Sequence, residues 1–198
     1  MKTSPLKKKI AIISLVLLFA GLNAKEMELY KNFDGAEEFA TLTVEEQYNS
    51  YINSFKKIKD PREQPMKWAN RMVKQYGREV LPYFNKTLET LTLDHVYKKP
   101  YDSTMRCISY LAHSFMNTCI LTENEKKLYA QIIESKIQLY LLKYGIFDRT
   151  VIVAAATMIE LDESYDIPWR DDFKIKAEYE KKLGIEIEMG DLEKMWED

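Results

Sequence analysis

Histidine, cysteine and glycine are scarce in this chain: among 198 residues there are two His, two Cys and six Gly. Each scarcity excludes a chemistry. Beyond the first two dozen residues the glycines stand alone at 35, 77, 145, 184 and 190, so no Gly-rich phosphate loop exists, and neither does a Gly-x-Ser-x-Gly elbow. His95 and His113 are isolated in sequence and no His-Glu-x-x-His helix is present, so no metal and no cofactor is expected. Cys107 and Cys119 fall in what reads as one helix from about Thr104 to Leu121. A separation of roughly 18 Å follows from the helical rise of about 1.5 Å per residue. A disulfide needs Cα atoms within about 7 Å, so the expectation is two buried, reduced thiols.

Long apolar runs are equally rare. The one that stands out, Ile10 to Leu22, is shorter than the roughly 20 residues of a spanning helix. It follows Lys7, Lys8 and Lys9 and precedes Ala24, the pattern of a secretory signal peptide over residues 1–24, with cleavage expected near Ala24. Export to the periplasm or the medium is therefore expected, without stable membrane insertion after the leader is removed. Four of the 29 basic residues and none of the 31 acidic ones lie in that leader, which leaves a formal charge of −6. That sign argues against nucleic acid, whose binding needs clustered Lys and Arg to neutralise phosphates.

What remains is helix. Thr43-Val44-Glu45-Glu46 is a capping box, and Val44, Tyr48, Tyr51, Ile52, Phe55 and Ile58 keep one helical face after it. Asp60-Pro61 stops that helix. Pro65 suits the first turn of the next, whose apolar face is Met66, Ala69, Met72, Val73 and Tyr76, and Gly77 ends it. Val80, Leu81, Phe84, Leu88 and Leu91 continue at once, with Pro82 harmless in the first turn. Thr122-Glu123-Asn124-Glu125 is a second capping box. The helix after it carries Leu128, Ile132, Leu139 and Leu142 on one side and Ile133, Ile137, Tyr140, Leu141 and Tyr144 on another. Two apolar sides predict a helix covered by neighbours on both. Val151 to Ile159 is apolar all round and is expected to be buried. Beyond Asp162 come a loop with Pro168 and Trp169, a charged helix from about Asp172 to Leu183 that ends at Gly184, and Ile185 to Met189, alternating like a short strand. The alternating segment is expected to dock on its own chain. Asp191 to Trp196 suggests a last helical turn.

Asp60-Pro61 leading through Met66 and Ala69 to Tyr76-Gly77, then Glu79 to Phe84, resembles the junction between two HEAT-type repeats. Asp102 to Arg106 leading into Ile108, Leu111, Ala112 and Phe115 is similar to the start of a HEAT second helix, as is Phe147 to Val151 leading into Val153, Ala154, Ala155, Met158 and Leu161. The Asp60, Asp102 and Asp148 starts are 42 and 46 residues apart, a HEAT or armadillo spacing. Lys67 fills the first repeat's basic position, where that family often has arginine. The resemblance covers about residues 43–161 and implies an all-α fold of stacked antiparallel helical hairpins, a HEAT-like α-solenoid or superhelical bundle. The organisation read from the chain is then a leader over 1–24, an N-terminal extension over 25–42, the hairpin domain over 43–161, and a C-terminal loop, helix and tail over 162–198 packing on it.

One polar constellation stands out. At 100° per residue Arg106, Tyr110, His113 and Asn117 share a helix face opposite Ile108, Leu111, Phe115 and Cys119. A cation, a phenol, an imidazole and an amide in one strip suit recognition of a carboxylate, a glycan or an acidic loop; they equally suit a solvated face or contacts to the next helix. Glu160, Asp162, Glu163 and Asp166 lack the glycine and spacing of a calcium loop, and Asn85-Lys86-Thr87 is a glycosylation pattern inside a helix. The expected function is an exported, non-catalytic binding or scaffold protein of the cell envelope that recognises a protein partner through the Arg106–His113 strip or the tail. The alternative is an envelope enzyme or small-ligand binder with a pocket between helices.

Overall fold

The computed structural model describes residues 41–55, 64–93, 103–165 and 171–190. The leader over 1–24, the lysines at 56, 57 and 59, Asp60-Pro61, His95, Asp102, Asp166, Pro168, Trp169 and the turn expected from Asp191 to Trp196 lie outside the described residues. Within them the chain is predominantly helical: α1 (Val44–Phe55), α2 (Gln64–Tyr76), a 3-10 turn (Gly77–Val80), α3 (Leu81–Thr90), α4 (Ser103–Asn117), α5 (Glu123–Tyr144), β1 (Ile146–Phe147), α6 (Arg149–Leu161), α7 (Asp172–Leu183) and β2 (Glu188–Met189).

Local chemistry places the starts and stops. Thr43 and Glu46 close the first capping box, the Glu46 amide donating to Thr43 Oγ1 at 3.3 Å and the Thr43 amide to Glu46 Oε2 at 2.8 Å. Gly77 turns the chain at φ 55° between α2 and the 3-10 turn, which any side chain would resist. The second capping box, Thr122 with Glu125, opens α5. Asp148 caps α6, its Oδ1 accepting from the amides of Thr150 and Val151.

α4 lies at the centre, packed on α1, α2 and α6, while α5 packs on α6, α3 and α7. Aromatic edges join these groups. Trp68 meets Tyr51 edge-on with centroids 5.8 Å apart, and Phe84 of α3 meets both Phe115 of α4 and Tyr129 of α5 at 5.2 and 5.3 Å. Trp68 is fully buried, a core residue outside the face read for α2. Packing against α1 and α4 together widens the buried arc of α2 beyond a single stripe.

The last described segment docks on the body. β2 pairs in parallel with β1, matching Ile146 to Glu188 and Phe147 to Met189, and the Glu188 and Gly190 amides donate to the carbonyls of Gly145 and Phe147 at 2.7 and 2.9 Å. Ile187 is buried, as the alternation requires. Gly190 passes so close to β1 that a Cβ there would lie 3.2 Å from both Asp148 Cβ and the Phe147 carbonyl oxygen.

Two expectations are corrected. The helix expected to run to Leu121 stops at Asn117. Thr118 Oγ1 donates to the Ser114 carbonyl at 2.7 Å, Cys119 takes φ 52°, its amide donates to Met116 O and that of Ile120 to Phe115 O. These are the two bonds of a Schellman stop, with cysteine where glycine is usual. Cys107 is buried as expected, but Cys119, expected buried, is exposed on this turn, and neither is in a disulfide. The second correction concerns α5. Its Ile133, Ile137, Tyr140 and Leu141 side is buried, whereas Leu128, Leu139 and Leu142 are 52%, 63% and 57% exposed. The neighbours α3, α6 and α7 cover one side of α5 and leave the other to solvent.

Candidate functional site

Among the residues expected to form a site, α4 brings two into direct contact and ties them to a neighbouring helix. His113 Nδ1 lies 2.5 Å from Glu160 Oε1 of α6, and Asn117 Nδ2 lies 2.9 Å from His113 Nε2. An amide nitrogen only donates, so Nε2 accepts and Nδ1 presents its proton to Glu160; one neutral tautomer satisfies both contacts. The imidazole thus bridges α4 and α6. Arg106 and Tyr110 are half-buried on the same helix, and Tyr110 packs against the core. The Tyr110 carbonyl accepts from Ser114 Oγ at 2.7 Å, and that hydroxyl also meets Asn70 Oδ1 of α2 at 2.7 Å. His113 thus joins α4 to α6, and Ser114 beside the strip joins α4 to α2.

Beside the C-terminal ends of α4 and α6 is a shallow depression of about 240 Å³ lined by Met116, Lys126, Lys127, Leu161, Asp162, Glu163 and others. Two of its charges have partners: Lys126 meets Glu123 at 2.7 Å, and the Ser164 hydroxyl and amide hold the Asp162 carboxyl below its usual range. Among the described residues no group of three or more His, Cys, Asp or Glu side chains is arranged to hold a metal ion, and no helix is long and apolar enough to cross a membrane.

Charge also pins the end of α5. Arg78 reaches Glu125 with two nitrogens, at 2.5 and 3.2 Å, and donates to the Ile120 carbonyl at 2.7 Å. The Arg78 guanidinium and then the Thr122 amide lower the Glu125 carboxyl to about 2. On the α7 side, Glu134 accepts from Tyr165 at 2.8 Å and pairs with Lys182.

The surface that sequence reading missed is the outer face of α5. Leu128, Ile132, Ser135, Leu139 and Leu142 recur at intervals of four, three, four and three, the spacing of a coiled-coil seam. Residues 128–142 span about 21 Å at the helical rise. Ile132 is half-buried against the core, Ser135 is exposed with its hydroxyl donating to the Ile132 carbonyl at 2.7 Å, and the three leucines face solvent. The spacing carries the signal, but spacing alone fits a second buried side equally well.

Compared with protein-family models, curated proteins and solved structures, the chain matches none.

Proposed function

We propose that this chain is a non-catalytic binding or scaffold protein that recognises a protein partner, with the outer face of α5 as its contact surface. The observation that carries this reading is the row of exposed leucines at heptad spacing on a helix whose opposite side is fully engaged in the core. Contiguous exposed apolar surface rimmed by polar residues marks interaction sites, and an amphipathic helix that lays its apolar face down is one recurring ligand for such a surface. The rival surfaces draw less support. His113 and Asn117 are engaged with each other and with α6, and the described part of the tail is paired with β1. A depression of about 240 Å³ falls below the volume usual for small-molecule pockets, roughly 300–1,000 Å³.

The leader pattern over residues 1–24 supports export, and with it a place in the periplasm or outside the cell. Consecutive helices that pack as pairs, α1 with α2 and α5 with α6, support the reading of stacked, HEAT-like hairpins. The test compares partner retention by wild-type protein with that of a Leu139→Asp, Leu142→Asp variant and an Arg106→Ala, His113→Ala variant. The reading expects loss in the first variant alone; loss only in the second would move the site to α4.

A further inference from the structure

Given the proposed role of α5's outer face as the protein contact, the charges bordering it identify the occupant. We infer that it is an acidic amphipathic helix from another protein, about four turns long, with leucine-like residues at heptad spacing and Glu or Asp on the flanking positions. The geometry is that of a seam with unequal borders. Following 128, 135 and 142, the positions on one flank are Tyr129, Lys136 and Lys143; Gln131 and Gln138 precede 132 and 139 on the other. In a two-stranded coil these flanking positions set the choice of partner. Tyr129 belongs to the core, so the working border is lysine on one side and glutamine on the other.

Lys136 Nζ donates to the Glu89 carbonyl at 3.0 Å, which holds the ammonium in place beside the seam without neutralising it. Lys143 stands 4.6 Å over the Tyr144 ring. The one glutamate between Lys126 and the end of α5, Glu134, faces α7, where Lys182 and Tyr165 hold it. Of the four lysines of α5, Lys126 is paired with Glu123 and two, Lys136 and Lys143, border the seam, where no acid of α5 stands beside them, in a chain whose formal charge is −2. A cationic, leucine-faced helix on an acidic protein selects an anionic, leucine-faced partner, by attraction at the border and by rejection of like charge.

A second copy of the chain fits less well. Antiparallel pairing would set the Lys136 and Lys143 row against itself, and parallel pairing would set it against glutamines; neither supplies an acid. Ser135 would also meet a polar or mismatched neighbour at the centre of the seam.

The probes are two synthetic 20-residue heptad peptides with leucine seams, one with Glu and one with Lys at every flanking position, titrated onto the whole protein at low and high salt. The Glu peptide is expected to bind about tenfold more tightly than the Lys peptide, with the gap narrowing in salt. A Lys136→Glu, Lys143→Glu variant should reverse the preference, and Leu139→Asp, Leu142→Asp should lose both peptides while keeping its helical circular dichroism. Equal affinity for the two peptides overturns the acidic partner yet leaves α5 as a helix-binding face. Binding of neither, with no self-association in sedimentation, overturns that face as well. A dimer in sedimentation that Leu139→Asp dissolves would make a second copy the occupant and overturn the inference.

Discussion

Single residues decide where this chain bends, and Cys119 does so under strain. An L-residue in the left-handed region costs roughly 1–2 kcal/mol, and at φ 52° Cys119 bears that cost to end α4. Cys119→Gly should therefore raise stability by about 0.5–1 kcal/mol, less than the full strain because glycine also loosens the unfolded chain; urea unfolding checks it. Nothing at Thr118-Cys119 announces this stop, because the sequence signal for it is glycine. Only Ile120, the apolar residue one place beyond, matches the motif. Glu125 is the opposite case: Thr122 and Glu125 are legible as a cap from their spacing, but the Arg78 contact joins residues 47 apart and is invisible until the chain folds. Its carboxyl lies at about 2 when folded against the ordinary 4.5. A lowered carboxylate stabilises the fold above the unfolded value, and that contribution fades as pH falls from about 4.5 through about 2. Glu125→Gln should thus be less stable than wild type at pH 7, and the gap should close over that window in acid titrations of the unfolding midpoint.

At the scale of elements, α5 and the segment that follows α7 show what periodicity carries and what it omits. Two apolar sides of α5 were legible; how many neighbours it has was not, because that depends on where α3 and α7 come to rest. For the final segment, alternation from Ile185 to Met189 suggests a strand, of which only Glu188–Met189 forms, while its partner β1 is only two residues long and carries no pattern of its own. The joint between them is tight. Gly190→Ala forces a Cβ against Asp148 and the Phe147 carbonyl, so amide exchange at Glu188 should accelerate while the α5 amides stay protected; unchanged exchange would show that β1 yields instead. Beneath this joint, Tyr140 Oη donates to Asp148 Oδ2 at 2.5 Å, bracing the cap of α6 from within α5. Tyr140→Phe leaves a buried carboxylate oxygen short of that donor, and a loss of about 1–3 kcal/mol in thermal or urea unfolding is expected.

For the whole molecule, the helices were legible in large part because capping boxes, glycine stops and apolar periods agreed with one another at α1, α2, α3, α5 and α7. The polar strip of α4 was legible as a face, whereas the contact of His113 with Glu160, which joins residues 47 apart, is set only by how α4 and α6 pack. The leucine row of α5 is the proposed recognition face. The most direct measurement is thiol footprinting of a Leu139→Cys variant, free in buffer and again in extract from the source cells. The exposed native Cys119 serves as the internal reference. Cys119 is expected to react alike in both, while the thiol at position 139 reacts freely in buffer and at least several-fold more slowly in extract. Equal reactivity of position 139 in the two conditions would contradict it.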